Sequence, residues 1–127
     1  TEVFRHIKRV RFSMLSPEYK TEVNRAAYDW YCENIMTRYV MLPSGEVTLQ
    51  TRGNPSGQIS TTMDNNMVNT FLQAFEFAFL HPEWDWGTLC QQWEHYDTLI
   101  YGDDRLTSTP DVPEDYTQRV VEMYRTI

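Results

Sequence analysis

Residues 97–109 read Asp97-Thr98-Leu99-Ile100-Tyr101-Gly102-Asp103-Asp104-Arg105-Leu106-Thr107-Ser108-Thr109. β-Prone residues flank a Tyr-Gly-Asp-Asp centre, a pattern that predicts a strand, a tight turn and a second strand. In a straight strand adjacent side chains point to opposite faces, but at a turn relaxed by Gly102 two consecutive carboxylates can approach one cation cluster. Magnesium takes hard oxygen ligands, typically one or two carboxylates with substrate phosphates completing the shell. Asp103 and Asp104 are therefore candidate metal ligands. The plainer alternative is that Gly-Asp-Asp is ordinary turn chemistry, and an isolated Asp-Asp favours that alternative.

Upstream, Gly53-Asn54-Pro55-Ser56-Gly57 is a loop. It feeds a long helix predicted over 60–80, whose first turns are crowded with hydroxyls and amides: Ser60, Thr61, Thr62, Asn65, Asn66 and Asn69. Such residues have modest helix propensity and usually serve as caps, but capping explains only one or two of the six. A polar helix start of this kind can hold the hydroxyls and base of a nucleotide. Further along, Met63, Met67, Thr70/Phe71, Ala74/Phe75 and Ala78 recur at helical spacing and are expected to pack in the core.

Around these two segments the pattern is mixed. Residues 4–14 read as a helix with Phe4, Ile7, Val10, Met14 and Leu15 on one face. Arg5, Lys8, Arg9 and Arg11 fall mostly off it, as a solvated basic face rather than a phosphate contact. Ser16-Pro17-Glu18 signals a helix start running to Met36. Residues 38–42 and 47–51 flank Pro43-Ser44-Gly45-Glu46 as a hairpin. His81-Pro82 ends the long helix. A weaker helix follows over 84–96, with Trp84, Trp86 and Trp93 read as packing groups. The last helix spans 114–127, with Tyr116, Val120, Met123, Tyr124 and Ile127 inward. The fold class is α+β.

Length and charge bound the rest. The 127 residues carry 11 Lys and Arg against 18 Asp and Glu, a formal charge of −7. The 41% of apolar and 14% of aromatic residues are enough for a packed core and exclude a disordered segment. No apolar run approaches a membrane span, and residues 1–10 lack the layout of a signal peptide, so a soluble chain is expected. Residues 1–38 hold seven basic and five acidic side chains, whereas 39–127 hold four and thirteen. That acidic balance argues against a free-standing nucleic-acid-binding domain but not against an acidic metal centre. Cys32 and Cys90 show no metal or disulfide spacing and are expected to be reduced, buried thiols. The threonine start and the helical end look cut from something larger.

Taken together and in this order, Ser56-Gly57-x3-Thr61-x3-Asn65 resembles motif B, and Tyr101-Gly102-Asp103-Asp104 resembles motif C, of the RNA-dependent RNA polymerases of positive-strand RNA viruses. The fuller strings GNPSGQISTTMDNNMVN and LIYGDDRL are most similar to the astrovirus polymerases. The resemblance covers at least residues 53–106 and implies that residues 1–127 are one partial palm subdomain, with no second domain. It implies Asp103 as the metal ligand and Asp104 as its weaker or indirect companion, with Mg2+, or Mn2+ in its place, as cofactor. Thr61 and Asn65 would sense the ribose 2′-OH. Ser56 and Gly57 would form a mobile loop, while Tyr101 and Gly102 would lie by the primer or under the hairpin. The implied reaction is templated nucleotidyl transfer by two metal ions. The implied partners are an RNA template and primer, nucleoside triphosphates, and the fingers and thumb of a complete polymerase. The implied setting is host cytoplasm, in membrane-associated viral replication complexes.

The chain also departs from the family. Motif A needs a further aspartate upstream of motif B. The candidate present, Asp29, lies in a helical context without a second Asp, and the family spacing puts motif A just before Thr1. No lysine follows the hairpin to act as the motif D acid; Arg119 and Arg125 are the basic residues there. The fragment alone is therefore expected to be inactive. Two alternatives remain at this point: a reverse transcriptase palm, which also uses Tyr-x-Asp-Asp, and a non-catalytic binding domain in which Gly-Asp-Asp is only a turn.

Overall fold

Thr21 opens the first long helix because its hydroxyl accepts from the Asn24 amide at 3.2 Å, satisfying one of the donors that a helix start leaves unpaired. The computed structural model describes residues 1–126. In chain order these form α1 (Glu2–Ser13), a 3-10 turn (Pro17–Tyr19), α2 (Glu22–Met36), β1 (Arg38–Met41), β2 (Val47–Gln50) and α3 (Thr61–Leu80). Then come α4 (Trp86–Trp93), β3 (Asp97–Tyr101), β4 (Asp104–Ser108) and α5 (Tyr116–Thr126). The α+β class holds. The helix expected from Ser16 to Met36 is instead a 3-10 turn followed by a new helix, because Thr21 supplies the side-chain cap that Ser16 does not. The expected inward position of Ile127 lies outside the described residues.

Two compact units divide the chain, Thr1–Val68 and Asn69–Ile127. In the first, β1 and β2 pair antiparallel with Tyr39 opposite Leu49. Arg38 ties that hairpin to its surroundings by donating to the Ile35 carbonyl at 2.6 Å, to Gln50 Oε1 at 2.7 Å and to the Gly53 carbonyl at 3.1 Å. Ile7, Phe12, Cys32 and Met36 are its buried apolar residues. Phe12 and Tyr28 lie with ring centroids 5.3 Å apart, and the Arg25 guanidinium stands 4.4 Å from the Phe12 ring.

Of the basic residues of α1, Arg9 is exposed as a solvated face requires, but Lys8 and Arg11 depart from that expectation. Lys8 is 2% exposed and donates to Asp64 Oδ2 at 2.6 Å, while Arg11 donates to Asp64 Oδ1 at 2.5 Å. Asp64 itself has no exposure. A buried carboxylate needs opposite charge and donors, and the nearest are one helical turn apart on α1. Met14 and Leu15, just past the end of α1, are exposed rather than inward.

The second unit packs α3, α4, α5 and the hairpin of β3 and β4 around Phe77, Leu80 and Met123. Phe77 sits among His81, Trp84, Trp93 and Tyr96, with ring centroids 5.2 to 5.9 Å away. Trp84 stacks on His81 at 3.8 Å and Trp93 on Tyr96 at 4.6 Å, as packing groups should. Trp86 does not follow that expectation and stands exposed, as does Cys90 one turn further along α4. Both cysteines are free thiols. Cys32 is buried as expected, and burial raises its pKa above the ordinary thiol value.

The Met and Phe stripe of α3 is also not the core. Met63 is 57% exposed, and Phe71 and Phe75 lie near the same open side. The face that turns inward in the second unit carries Gln73, Glu76 and Leu80, on the opposite side of the helix. Gln73 donates to Thr107 Oγ1, and Glu76 accepts from Arg105, from Tyr124 Oη and from Tyr116 Oη. These polar partners commit that face to β4 and α5, which leaves the apolar stripe outward.

Replacing Asp64 by alanine leaves Lys8 buried without its counter-charge, which is expected to cost about 3–5 kcal/mol of stability. A lowered urea midpoint in equilibrium unfolding checks it. An unchanged midpoint would mean that the pair contributes nothing.

Candidate functional site

Asn54 organises the loop that precedes α3. Its Nδ2 donates to Asn65 Oδ1 at 2.9 Å and to the Thr61 carbonyl at 3.4 Å, and its Oδ1 accepts from Gln58 Nε2 at 3.3 Å. Thr61 Oγ1 donates to the Pro55 carbonyl at 2.7 Å, folding the loop back over the helix start. Gly53 and Gly57 both take φ of +80°, a region in which a Cβ is strained, so glycine at these two places lets the loop turn twice within five residues. Ser56 and Gly57 stand exposed at its crest.

The base of this loop is electrostatic. Asp64 accepts from Lys8, Arg11, Ser60 Oγ at 2.8 Å and Gln58 Nε2 at 3.1 Å. Burial by itself pushes a carboxyl upward. The hydrogen bonds from Lys8, Ser60 and Arg11 outweigh it, and the Asp64 carboxyl lies below its ordinary value of 3.8. Lys8 Nζ stands 5.0 Å from the Tyr31 ring and 5.2 Å from the Phe4 ring, which adds cation–π attraction in a desolvated place. Tyr31 Oη in turn donates to Gln58 Oε1 at 3.0 Å. Tyr28, whose hydroxyl donates to the Lys8 carbonyl at 3.0 Å, is pushed up to about 12, chiefly by burial and then by Cys32.

In the second unit, β3 and β4 pair with Tyr101 opposite Asp104, leaving Gly102 and Asp103 as a two-residue turn. Gly102 has φ of +66°, while no non-glycine described residue has positive φ. Those signs are the ones of a type II′ turn, whose first central position asks for glycine. Side-chain alternation then places Leu99, Tyr101, Asp104 and Leu106 on the exposed face of the hairpin, and Ile100, Arg105 and Thr107 on the covered one. Asp103, in the turn, is exposed as well. Asn69 Nδ2 reaches the turn from α3, donating to the carbonyls of Gly102 at 3.3 Å and Asp103 at 3.1 Å.

Each predicted site residue thus has a place. The first unit brings Thr61 and Asn65 together with Asn54 and leaves Ser56 and Gly57 at the loop crest. The second unit gathers Tyr101, Gly102, Asp103 and Asp104 into one turn. Among the described residues no group of three or more His, Cys, Asp or Glu side chains is arranged to hold a metal ion, and the carboxylates at the tip of this hairpin are Asp103 and Asp104. Asp29 lies on α2, as its helical context implied. Sequence reading missed the Lys8–Asp64–Arg11 cluster and the turn contact of Asn69. The signal available was an aspartate inside an otherwise neutral helix start, downstream of two basic residues one turn apart.

Because the folded pKa of Asp64 is depressed, its contribution to stability is present above the unfolded value of 3.8 and is lost as pH falls through the folded value. Acid unfolding followed by circular dichroism should therefore show an added loss below that range that Asp64→Asn lacks. Asn69→Ala removes the donor held against the turn, and amide hydrogen exchange at 102–104 should speed up while β4 beyond Arg105 keeps its protection.

The family model described as viral RNA-dependent RNA polymerase matches residues 2–127. The chain is 61% identical over its full length to the non-structural polyprotein 1AB of ovine astrovirus 1, and 58% identical over 99% of its length to that of mink astrovirus 1. It is 38% identical over 98% of its length to that of turkey astrovirus 2. It spans 8 to 9% of the length of these relatives. No solved structure matches it.

Proposed function

The chain belongs to the viral RNA-dependent RNA polymerase family, and from that premise we propose that it supplies the palm segment that selects the incoming nucleotide and holds the catalytic metals for RNA synthesis. The observation that carries this reading is the Tyr101-Gly102-Asp103-Asp104 turn, a hairpin tip with two exposed carboxylates whose backbone is tied down by Asn69.

Adjacent oxygen donors open to solvent suit magnesium, which takes few protein carboxylates and fills its shell with water and phosphate oxygens. Manganese would serve in its place. Asp103 and Asp104 would hold the ions, Asp103 as the principal ligand and Asp104 as its companion. When bound, such ions lower the pKa of a primer 3′-hydroxyl and neutralise the charge on the triphosphate. The II′ turn, its backbone held by Asn69, presents the two adjacent carboxylates together, a preorganisation that phosphoryl transfer needs. Tyr101, opposite Asp104 on the exposed face, offers a ring against which a primer terminus can rest.

In the first unit, Asn65 and Thr61 would meet the ribose. Asn65 keeps its Oδ1 on Asn54, which leaves the Nδ2 end as the donor for a 2′-hydroxyl. Ser56 and Gly57, exposed in a loop that turns at the positive-φ glycines Gly53 and Gly57, adjust to the nascent pair. The RNA template and primer and the nucleoside triphosphates are the partners, together with fingers and thumb that supply basic surface. We place this activity in host cytoplasm, in membrane-associated replication complexes, although no helix among the described residues is long and apolar enough to cross a membrane.

In the complete polymerase, Asp103→Ala should abolish nucleotide incorporation while leaving the melting temperature unchanged. Normal incorporation would remove Asp103 from the metal site. The 127-residue chain by itself lacks a motif A carboxylate on a strand, since Asp29 is helical. It should bind magnesium weakly and extend no primer, and templated extension by the purified chain would overturn that expectation.

A further inference from the structure

The buried charges at the base of the loop connect to Asn65 through an unbroken series of side-chain hydrogen bonds. Lys8 and Arg11 hold Asp64 at 2.6 and 2.5 Å. Asp64 Oδ2 accepts from Gln58 Nε2 at 3.1 Å, and the same amide donates to Asn54 Oδ1 at 3.3 Å. Asn54 Nδ2 completes the series on Asn65 Oδ1 at 2.9 Å. Gln58 is held at its other end too, because its Oε1 accepts from Tyr31 Oη and from the Ser60 backbone amide. Its side chain cannot turn without losing partners on both sides.

Packing alone does not require this arrangement. An apolar pair at positions 8 and 64 would join α1 to α3 at least as well, since a buried ion pair spends much of its attraction on desolvation. What apolar residues cannot do is donate to Ser60, as Lys8 Nζ does at 3.1 Å, or accept from Gln58, as Asp64 does. The charges therefore set the direction of the polar groups in the loop. At the end of the series, fixing Asn65 Oδ1 on Asn54 settles the plane of its amide and which end it presents. An Asn65 amide released from Asn54 can rotate, offer either end, and so distinguish less sharply between a ribose hydroxyl and a hydrogen.

We propose that Lys8, Arg11 and Asp64 are positioning residues for sugar selection, acting through Gln58 and Asn54 on the Asn65 amide. The inference rests on the reading of Asn65 as the ribose-sensing residue given above. It extends that role to Lys8 and Arg11, on a helix far upstream in sequence, acting through Asp64.

The test is the ratio of kcat/KM for a ribonucleoside triphosphate to that for its 2′-deoxy counterpart, in the complete polymerase. A merely structural role lowers the active fraction for both substrates equally and leaves that ratio unchanged. Asp64→Asn should reduce the ratio by roughly ten- to a hundredfold, the scale on which small misplacements act. Asn54→Ala cuts the last link without disturbing the buried charges, so it should fold even where Asp64→Asn does not, and should reduce the ratio similarly. Asn65→Ala serves as the reference. If it lowers the ratio while folded Asn54→Ala or Asp64→Asn leaves it intact, the positioning role is overturned and the reading of Asn65 stands. If Asn65→Ala also leaves the ratio intact, the reading of motif B fails first and the positioning role falls with it.

Discussion

A carboxylate with no exposure to solvent, Asp64, sits one turn into helix α3 and must be answered by positive charge and by donors wherever the chain can provide them. Lys8, Arg11, Ser60 and Gln58 provide them. Two opposing effects meet at this group, burial raising its pKa and the hydrogen bonds from Lys8, Ser60 and Arg11 lowering it, and the donors win. The need to answer that buried charge accounts for the lysine buried on α1. It also explains why the loop before α3 is held at its base although Ser56 and Gly57 at its crest are exposed.

The second unit solves a similar problem with different chemistry. Glu76 is 3% exposed and is met by Arg105 from β4 and by two tyrosine hydroxyls from α5. Burial and the Glu76 carboxylate push the Tyr124 phenol upward, so it remains a donor at neutral pH. One turn earlier, Gln73 meets Thr107, and earlier again Asn69 meets the carbonyls of the hairpin turn. These residues are spaced so that one face of the helix serves them all. The hairpin that presents Asp103 and Asp104 is thus positioned by polar contacts along its covered face, and its other face is exposed.

Local features were legible because their causes are local. Gly102 before Asp103 asks for a tight turn of one kind, and the turn forms with the glycine at positive φ. The hairpin at 38–51, the loop at 53–57, the break at His81-Pro82 and the existence of α3 follow from residues within a few positions of one another. Errors arose where a residue's partner is far away in sequence. The apolar stripe of α3 has the right spacing for a core, yet Met63, Phe71 and Phe75 face outward because Gln73 and Glu76 have claimed the inner side. The basic face of α1 looks solvated until Asp64, fifty-six positions on, is brought against Lys8. Cys90 and Trp86 resemble interior residues by type, but α4 turns them out.

By itself, the sequence determined the α+β class, the order of the elements, the two motifs and, through them, the family to which the chain belongs. Motifs survive as strings because a glycine at a turn and a carboxylate beside it must be adjacent in the chain to work. Only the tertiary structure decided which polar residues are buried, which face of α3 is the inner one, and that a lysine and an arginine on α1 stand behind the loop that precedes α3. Pairing of buried charge depends on distance in space and on the exclusion of water, and neither is written in the spacing of residues along the chain.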